Sequence, residues 1–177
     1  HRKYDILFTG TTIQKTKNHN LFYEIVDGLV SSNNDISIAI VGASEGIEEL
    51  KKRWGGNVEI FERVSKSALC DIYNNSRFHL ITSGRDCFPR TIPESIVCGC
   101  HLLVLDILSD GLSLIEENPL IGTVIDSSNE ILSMEPSYSV SLQLLTNQVI
   151  SRIVDLISIE RDHLLIATLG QDLFSVD

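Results

Sequence analysis

The sequence predicts an α/β domain: a doubly wound, parallel, six-stranded Rossmann-like sheet followed by C-terminal helices. Three observations carry that expectation. Six short β-rich runs recur along the chain, most of them separated by stretches with helical spacing. The runs are apolar throughout, as strands are when helices cover both faces of a parallel sheet. Two of them end directly at a glycine, Gly10 and Gly42, where a strand would hand over to a loop.

The first strand is Asp5 to Thr9 (DILFT). Asn20 to Val30 follows as a helix, with Leu21, Ile25 and Leu29 in phase and Phe22 and Val26 beside them. Ile36 to Val41 (ISIAIV) is the second strand. Gly46 to Trp54 is a helix with Ile47, Leu50 and Trp54 on one side, and Val58 to Phe61 is the third strand. Ser65 is placed to cap a helix carrying Ala68, Leu69, Ile72 and Tyr73. Phe78 to Ile81 is the fourth strand, and Thr91 to Val97 the helix after its loop. His101 to Leu105 (HLLVL) and Thr123 to Ile125 complete the sheet. Ser127 to Tyr138 is the most loop-rich region and reads as a surface linker. Beyond Ser139, Leu142, Leu145, Val149, Ile153, Leu156 and Ile157 mark a helix, and a last helical piece covers Glu160 to Gly170. Residues 1–138 thus form the Rossmann-like unit, and 139–177 contribute helices packed on the same domain.

With strand order 3-2-1-4-5-6, the order reverses between strands one and four, and a crevice opens at their exits. The loops there are Gly10 to Asn18 (GTTIQKTKN) and the stretch Ile81 to Cys100 (ITSGRDCFPRTIPESIVCGC). The second gathers Ser83, Gly84, Arg85, Asp86, Phe88, Pro89 and Arg90 between a strand and a helix start. Such junctions bind anions and nucleotides, because the first amides of the helix are free and its dipole end is positive.

Composition narrows the partners. The chain has 177 residues, enough to bury roughly 70% of its unfolded surface as one domain or half of a two-domain protein. Its net charge of −10 argues against nucleic acid or an anionic membrane as a broad-surface partner. A phosphate ligand is compatible with that charge, since a few local cations and amides suffice. No run reaches the about 18 apolar residues of a membrane span, and no signal peptide opens the chain. HRKYDILF drops almost directly into a strand, which reads as a cloning or proteolytic boundary with His1 left from a tag. Cys70, Cys87, Cys98 and Cys100 lack zinc-site spacing, and the five histidines show none either. A reduced, cytoplasmic chain with buried thiols and no bound metal is expected. His79 and His101 lie in strands as satisfied core or edge residues, and His19 is the histidine near the crevice.

Lys15 and Lys17 precede the first helix beside Gly10 and are placed to neutralise phosphate as point charges, or to stand in solvent. Arg85 and Arg90 are placed either to hold phosphate and sugar oxygens or to pair with surface carboxylates. Thr91-Ile92-Pro93-Glu94 fits a capping box, with Thr91 as cap and Glu94 reaching back to its amide. The same spacing also leaves Glu94 available to a ligand. Neither GASEG (Gly42 to Gly46) nor the Gly10 turn has the dinucleotide fingerprint, and no nucleophile elbow is present.

Taken in order, ILFTG…KTKNHNLFYEIVDGL, ISIAIVG, VEIFERVSKSALCDIYNNSRFHLITS and DCFPRTIPESIVCGCHLLVLD form a familiar series. From about Tyr4 to Ile125, it resembles the C-terminal donor-binding domain of GT-B glycosyltransferases. The similarity is greatest to the retaining group 1 transferases, in which two acidic residues flank seven others. The resemblance implies a nucleotide-sugar donor, such as a UDP- or GDP-sugar, and no separate cofactor. It implies that Lys17 binds the donor diphosphate, with Gly10, Lys15, Arg85 and the amides from Phe88 to Arg90 around it. It assigns Asp86 to the sugar hydroxyls, Glu94 to the ribose, and the Arg63-Val64 turn to the base. Asp86 and Glu94 are the catalytic pair by this resemblance, and helix amides and cations stabilise the leaving diphosphate.

Three positions depart from the pattern: Asp86 stands for the usual Glu, Thr11-Thr12 for the usual Arg, and Pro89 for a glycine. The resemblance further implies an N-terminal acceptor-binding domain outside this chain, a polysaccharide or glycolipid acceptor, and peripheral membrane association through that other domain. Competing readings are a non-catalytic nucleotide- or partner-binding domain and a nucleotide-sugar epimerase of the same architecture.

Overall fold

The computed structural model describes residues 1–10, 17–32, 35–43, 46–83, 88–106, 112–126 and 138–175, with 138–146 described in backbone only. The expected linker falls almost wholly outside these residues.

Six strands form one all-parallel sheet in the order β3-β2-β1-β4-β5-β6. They are β1 Tyr4–Thr9, β2 Ile38–Val41, β3 Val58–Phe61, β4 Ser76–Ile81, β5 His101–Leu105 and β6 Gly122–Ile125. Register is set by core residues meeting across strands, with Ile6 opposite both Ile38 and Phe78. The helices are α1 His19–Ser32, α2 Ile47–Trp54, α3 Lys66–Asn74, α4 Thr91–Val97, α5 Leu112–Glu117, α6 Tyr138–Ile157 and α7 His163–Phe174. The doubly wound α/β expectation holds strand for strand.

Side chains alternate across a strand, so each strand supplies two cores. Ile6, Phe8, Ile38, Ile40, Phe78, Leu80, Leu103 and Leu105 face one way, against Leu21, Phe22, Ile25 and Leu29 of α1, Trp54 of α2 and Val149, Ile153 and Leu156 of α6. Leu7, Ala39 and Val41 face the other way with Ile72 and Tyr73 of α3. On that same side, Leu102 and Val104 meet Ile92 and Ile96 of α4, Ile115 of α5 and Ile166 of α7. Burying each large aliphatic or aromatic side chain contributes about 1.5–3 kcal/mol, and this double supply is what makes a four- to six-residue strand sufficient.

Local signals account for several helix boundaries. Ser65 caps α3, its hydroxyl accepting from the Ala68 amide at 3.1 Å. Asp162 caps α7 by accepting from Leu165 N at 2.9 Å, so this helix starts later than expected and runs on to Phe174. The short α5 has too few turns to show a period in sequence. No described helix is long and apolar enough to cross a membrane.

The N-terminal edge of the sheet is fastened by two arginines. Arg2 donates to the carbonyls of Tyr73 at 3.0 Å, Ser76 at 2.7 Å and Cys98 at 2.8 Å. Arg77 pairs with Asp5 at 2.8 Å and donates to the Ile157 carbonyl at 2.8 Å, tying the end of α6 to the strands. These bonds lie at the edge opposite the β1 and β4 exits.

Candidate functional site

β1 and β4 are neighbours at the point where strand order reverses, and both exit at the C-terminal edge. Gly10 follows β1 with its amide bonded to the Val41 carbonyl at 2.9 Å. A Cβ at Gly10 would lie 3.1 Å from Lys17 Cγ, so the absent side chain lets the lysine stem fold close over the strand exit. The fully buried Thr82, just past β4, donates from Oγ1 to the Lys17 carbonyl at 2.7 Å. The two loops are therefore joined by a direct bond.

A cavity of about 400 Å³ opens between them. Thr9, Gly10 and Lys17 line it from the β1 side, Val41 and Gly42 from β2, and Phe88, Pro89, Arg90 and Thr91 from the entry to α4. Lys17 and Arg90 are the charged residues of its described lining. In a chain of net charge −10, this is a locally cationic recess suited to an anion.

His79 lies behind Thr9, which lines this cavity. It is fully buried, with Nε2 3.0 Å from Thr9 Oγ1 and Nδ1 lacking a hydrogen-bond partner. Burial, then the Lys17 charge, pushes its pKa down to about 3, so the ring is neutral and adds no carboxylate-seeking charge of its own. The expectation of a satisfied histidine holds for His101, whose nitrogens meet Leu120 O at 3.0 Å and Thr123 Oγ1 at 2.8 Å. It is corrected for His79, which is satisfied at one nitrogen only.

A second cavity, about 280 Å³, lies between α3 and α4 and is lined by Lys66, Leu69, Cys70, Tyr73, Glu94, Val97 and Cys98. Leu69 also lines the first cavity and forms the wall between the two. The Tyr73 phenol is held neutral, its pKa raised by burial and then by the Glu94 carboxylate. A neutral phenol and an exposed carboxylate suit hydroxyl groups better than phosphate.

The residues singled out from sequence divide accordingly. Gly10, Lys17, Phe88 and Arg90 share the cationic cavity, and Glu94 lies across Leu69 in its neighbour. Val64 lines neither; it packs beside Phe61 and Leu69 in the cluster under α3. Lys15, Arg85 and Asp86 lie outside the described residues, as do Thr11 and Thr12. Phe88 is 41% exposed, with its ring 6.4 Å from that of Phe174 at the end of α7.

Two further expectations are corrected. The capping box does not form: Thr91 is the first residue of α4, Arg90 occupies the cap position in helical geometry, and no side chain caps it. Bonds from Ile92 N to Pro89 O at 2.9 Å and from Glu94 N to Arg90 O at 3.3 Å start the helix one residue earlier than a Thr91 cap allows. The Glu94 carboxylate is consequently not engaged in a Thr91 capping box. The thiols are also not uniformly buried. Cys100 is, but Cys98 is partly exposed and Cys70 exposed, because Cys70 is out of phase with Leu69, Ile72 and Tyr73 on α3.

Thr9, Leu69, Thr82 and the Val41-Gly42 turn are site residues that sequence reasoning did not assign. Their common signal is position: each stands at a strand exit or on the helix face toward the reversal point.

The sequence profile of the glycosyl transferases group 1 matches residues 3–131. No functionally curated protein matches the chain in sequence. Among solved structures, the GtfA/B complex aligns with a TM-score of 0.73 at 14% identity, covering 98% of this chain and 33% of that one. The pneumococcal O-GlcNAc transferase GtfA, solved with UDP and GlcNAc, aligns at 0.70 and 15% identity over 97% of this chain and 33% of that one. The C-terminal domain of a group 1 glycosyl transferase, LpcC from Francisella tularensis, aligns at 0.65 and 16% identity, over 97% of this chain and 84% of that one. The likeness is one of fold, and the chain spans about a third of the length of the first two proteins.

Proposed function

Because the chain belongs to the group 1 glycosyl transferases, we propose that it is the donor-binding half of an enzyme that moves a sugar from a nucleotide-sugar to a polysaccharide or glycolipid. The observation that carries this reading is a pair of adjoining cavities, one at the β1 and β4 exits and one between α3 and α4. The first has Lys17 and Arg90 as its charged lining, and the second presents Glu94 across Leu69.

In this reading, the donor diphosphate occupies the first cavity. Lys17 and Arg90 oppose the charge that gathers on the leaving diphosphate as the glycosidic bond breaks, and they are in place before the reaction begins. Glu94 accepts hydrogen bonds from the ribose hydroxyls. Asp86 is assigned to the donor sugar by the family pattern alone. The acceptor binds to a separate N-terminal domain, which also carries any association with a membrane, and the protein works in the cytoplasm. The donor itself is the substrate, and no further cofactor is assigned.

Titration of the protein with UDP, GDP and their sugars by calorimetry tests the reading. Saturable binding of one nucleotide series is expected, with the matching nucleoside binding far more weakly. Absence of binding at millimolar nucleotide overturns it.

Pro89 favours a second reading, a domain that binds nucleotide without transferring sugar. It lines the diphosphate cavity and has no amide proton to offer there. Nucleotide binding without donor turnover by the full-length enzyme would select it.

A further inference from the structure

Cys70 on α3 and Cys98 at the end of α4 bring their Sγ atoms to 3.8 Å, although they are 28 residues apart. A disulfide requires about 2.05 Å. Both sulfurs line the cavity that holds Glu94, and Cys70 is exposed to reagents from solvent.

We infer that Cys70 and Cys98 form a reversible disulfide when the protein meets a disulfide or peroxide oxidant, and that this bridge narrows the Glu94 cavity. With glutathione disulfide, the Cys70 thiolate attacks one sulfur, forming a mixed disulfide and expelling one glutathione. The Cys98 sulfur then attacks Cys70, forming the protein disulfide and expelling the second glutathione. Two protein thiols are oxidised, one oxidant disulfide is reduced to two thiols, and these take up the two protons.

The order of attack follows from environment. Burial, and then the neighbouring Cys70 sulfur, raise the Cys98 pKa well above the ordinary thiol value, which leaves it the resolving partner. Cys70 is open to solvent, and Asn74 Nδ2 lies 3.6 Å from its sulfur as a donor.

The direction of movement follows from what is anchored. Arg2 holds the Tyr73 carbonyl, at the end of α3, at 3.0 Å and the Cys98 carbonyl at 2.8 Å. The next residue, Gly99, has φ 78°, and a Cβ there would lie 2.3 Å from the His163 carbonyl oxygen, so the turn is wedged against α7. With the α4 end wedged and the end of α3 tied at Tyr73, the turn of α3 that carries Cys70 is the part that approaches. Leu69 travels with that turn, and it lines the cavity together with Glu94. The effect on nucleotide rests on the donor-site reading above; the bridge itself does not.

The test incubates the protein in glutathione disulfide and maps the peptides by mass spectrometry. A Cys70–Cys98 cross-linked peptide is expected, reversed by dithiothreitol. Cys98→Ser should accumulate a glutathione adduct at Cys70, and Cys70→Ser should give neither product. Hydrogen exchange at α3 amides should slow on oxidation. The Kd for UDP or GDP, whichever binds, should rise about tenfold on oxidation, and the oxidised-to-reduced ratio should fall to one in Cys70→Ser. Absence of the linked peptide overturns the inference. A bridge with unchanged α3 exchange and unchanged Kd overturns the narrowing. A bridge with altered exchange, in a protein that binds neither nucleotide in either state, supports the inference and removes the donor-site reading instead.

Discussion

The Thr82 hydroxyl donates to the carbonyl oxygen of Lys17 across 2.7 Å, bonding the exit of β4 to the loop after β1. Sixty-five residues separate the two in sequence, yet the bond fixes where the lysine stem leaves the backbone. Lys17 then runs over Gly10, close enough that a methyl group there would press on it.

Thr82→Val keeps the shape of this buried residue and removes the donor. The Lys17 carbonyl is left without that partner, a loss of about 1–3 kcal/mol. Urea unfolding should show it. Nucleotide affinity should fall as well, because the loop that aims Lys17 is released. If Thr82→Val binds nucleotide as the native protein does, the bond serves the fold alone.

Lys17→Ala should weaken nucleoside diphosphate binding by roughly 10- to 100-fold, the range for losing a charge-assisted hydrogen bond of about 1.5–3 kcal/mol. Nucleoside binding should stay unchanged, since the lysine lies in the cavity away from Glu94. Calorimetry with UDP, GDP and their nucleosides separates the two. Equal losses for nucleotide and nucleoside would place Lys17 outside the phosphate site.

Glu94→Ala should reduce nucleotide affinity while the melting temperature barely moves. In sequence, Thr91 and Glu94 fit a capping box, and the substitution would then have loosened the helix. The structure starts α4 at Thr91 with no side-chain cap, so the structural share of Glu94 is its favourable place in the first turn, about 0.3–1 kcal/mol. Calorimetric titration beside thermal unfolding distinguishes them; a large drop in melting temperature at unchanged affinity would restore the capping role.

The capping box also marks where sequence reasoning stops. The span of α4 was readable because Pro93 and the apolar Ile92 and Ile96 identify a helix start and a buried face. Its cap was not, because Pro89 and Arg90 supply backbone bonds that compete with the side-chain motif. The same holds for the cysteines. Leu69, Ile72 and Tyr73 give the inward face of α3 and put Cys70 outward, but only the packing of α3 on α4 brings it to Cys98. The strands and the reversal point were legible because their apolar runs serve two cores at once. Leu69 as the wall between two cavities was not, since a core leucine and a cavity leucine look alike in sequence.

Gly170→Val should destabilise the protein and disturb the site together. A Cβ at Gly170 would lie 2.7 Å from Ile96 Cγ2 and 3.0 Å from the Val97 nitrogen, so α7 rests directly on the backbone of α4. Overpacking of this kind costs about 1–3 kcal/mol. Because α4 carries Glu94, nucleotide affinity should fall too. Unchanged affinity at reduced stability would mean that α4 shifts without moving its carboxylate.

Acid should weaken the fold through two buried histidines before the carboxylates take effect. Burial holds His79 at about 3, and it holds His101 at about 4. Both are neutral when folded, whereas each takes up a proton near pH 6.5 when unfolded. Between those values the unfolded chain binds more protons, so this contribution is complete above pH 6.5 and is lost as pH falls toward 4 and 3. The slope reaches at most about 1.4 kcal/mol per pH unit for each histidine. Glu59 is held below its ordinary value by hydrogen bonds from Lys3 and Tyr4, and it adds its own loss only below about 4.5. Urea midpoints at pH 7, 6 and 5 therefore read the histidines, including His163, whose pKa burial also lowers. His101→Gln should lower stability at pH 7, since Leu120 O and Thr123 Oγ1 lose their ring partner, and should flatten the slope between pH 6 and 5. A native protein equally stable at pH 7 and 5 would show that these rings are protonated in place, with the fold accommodating their charge.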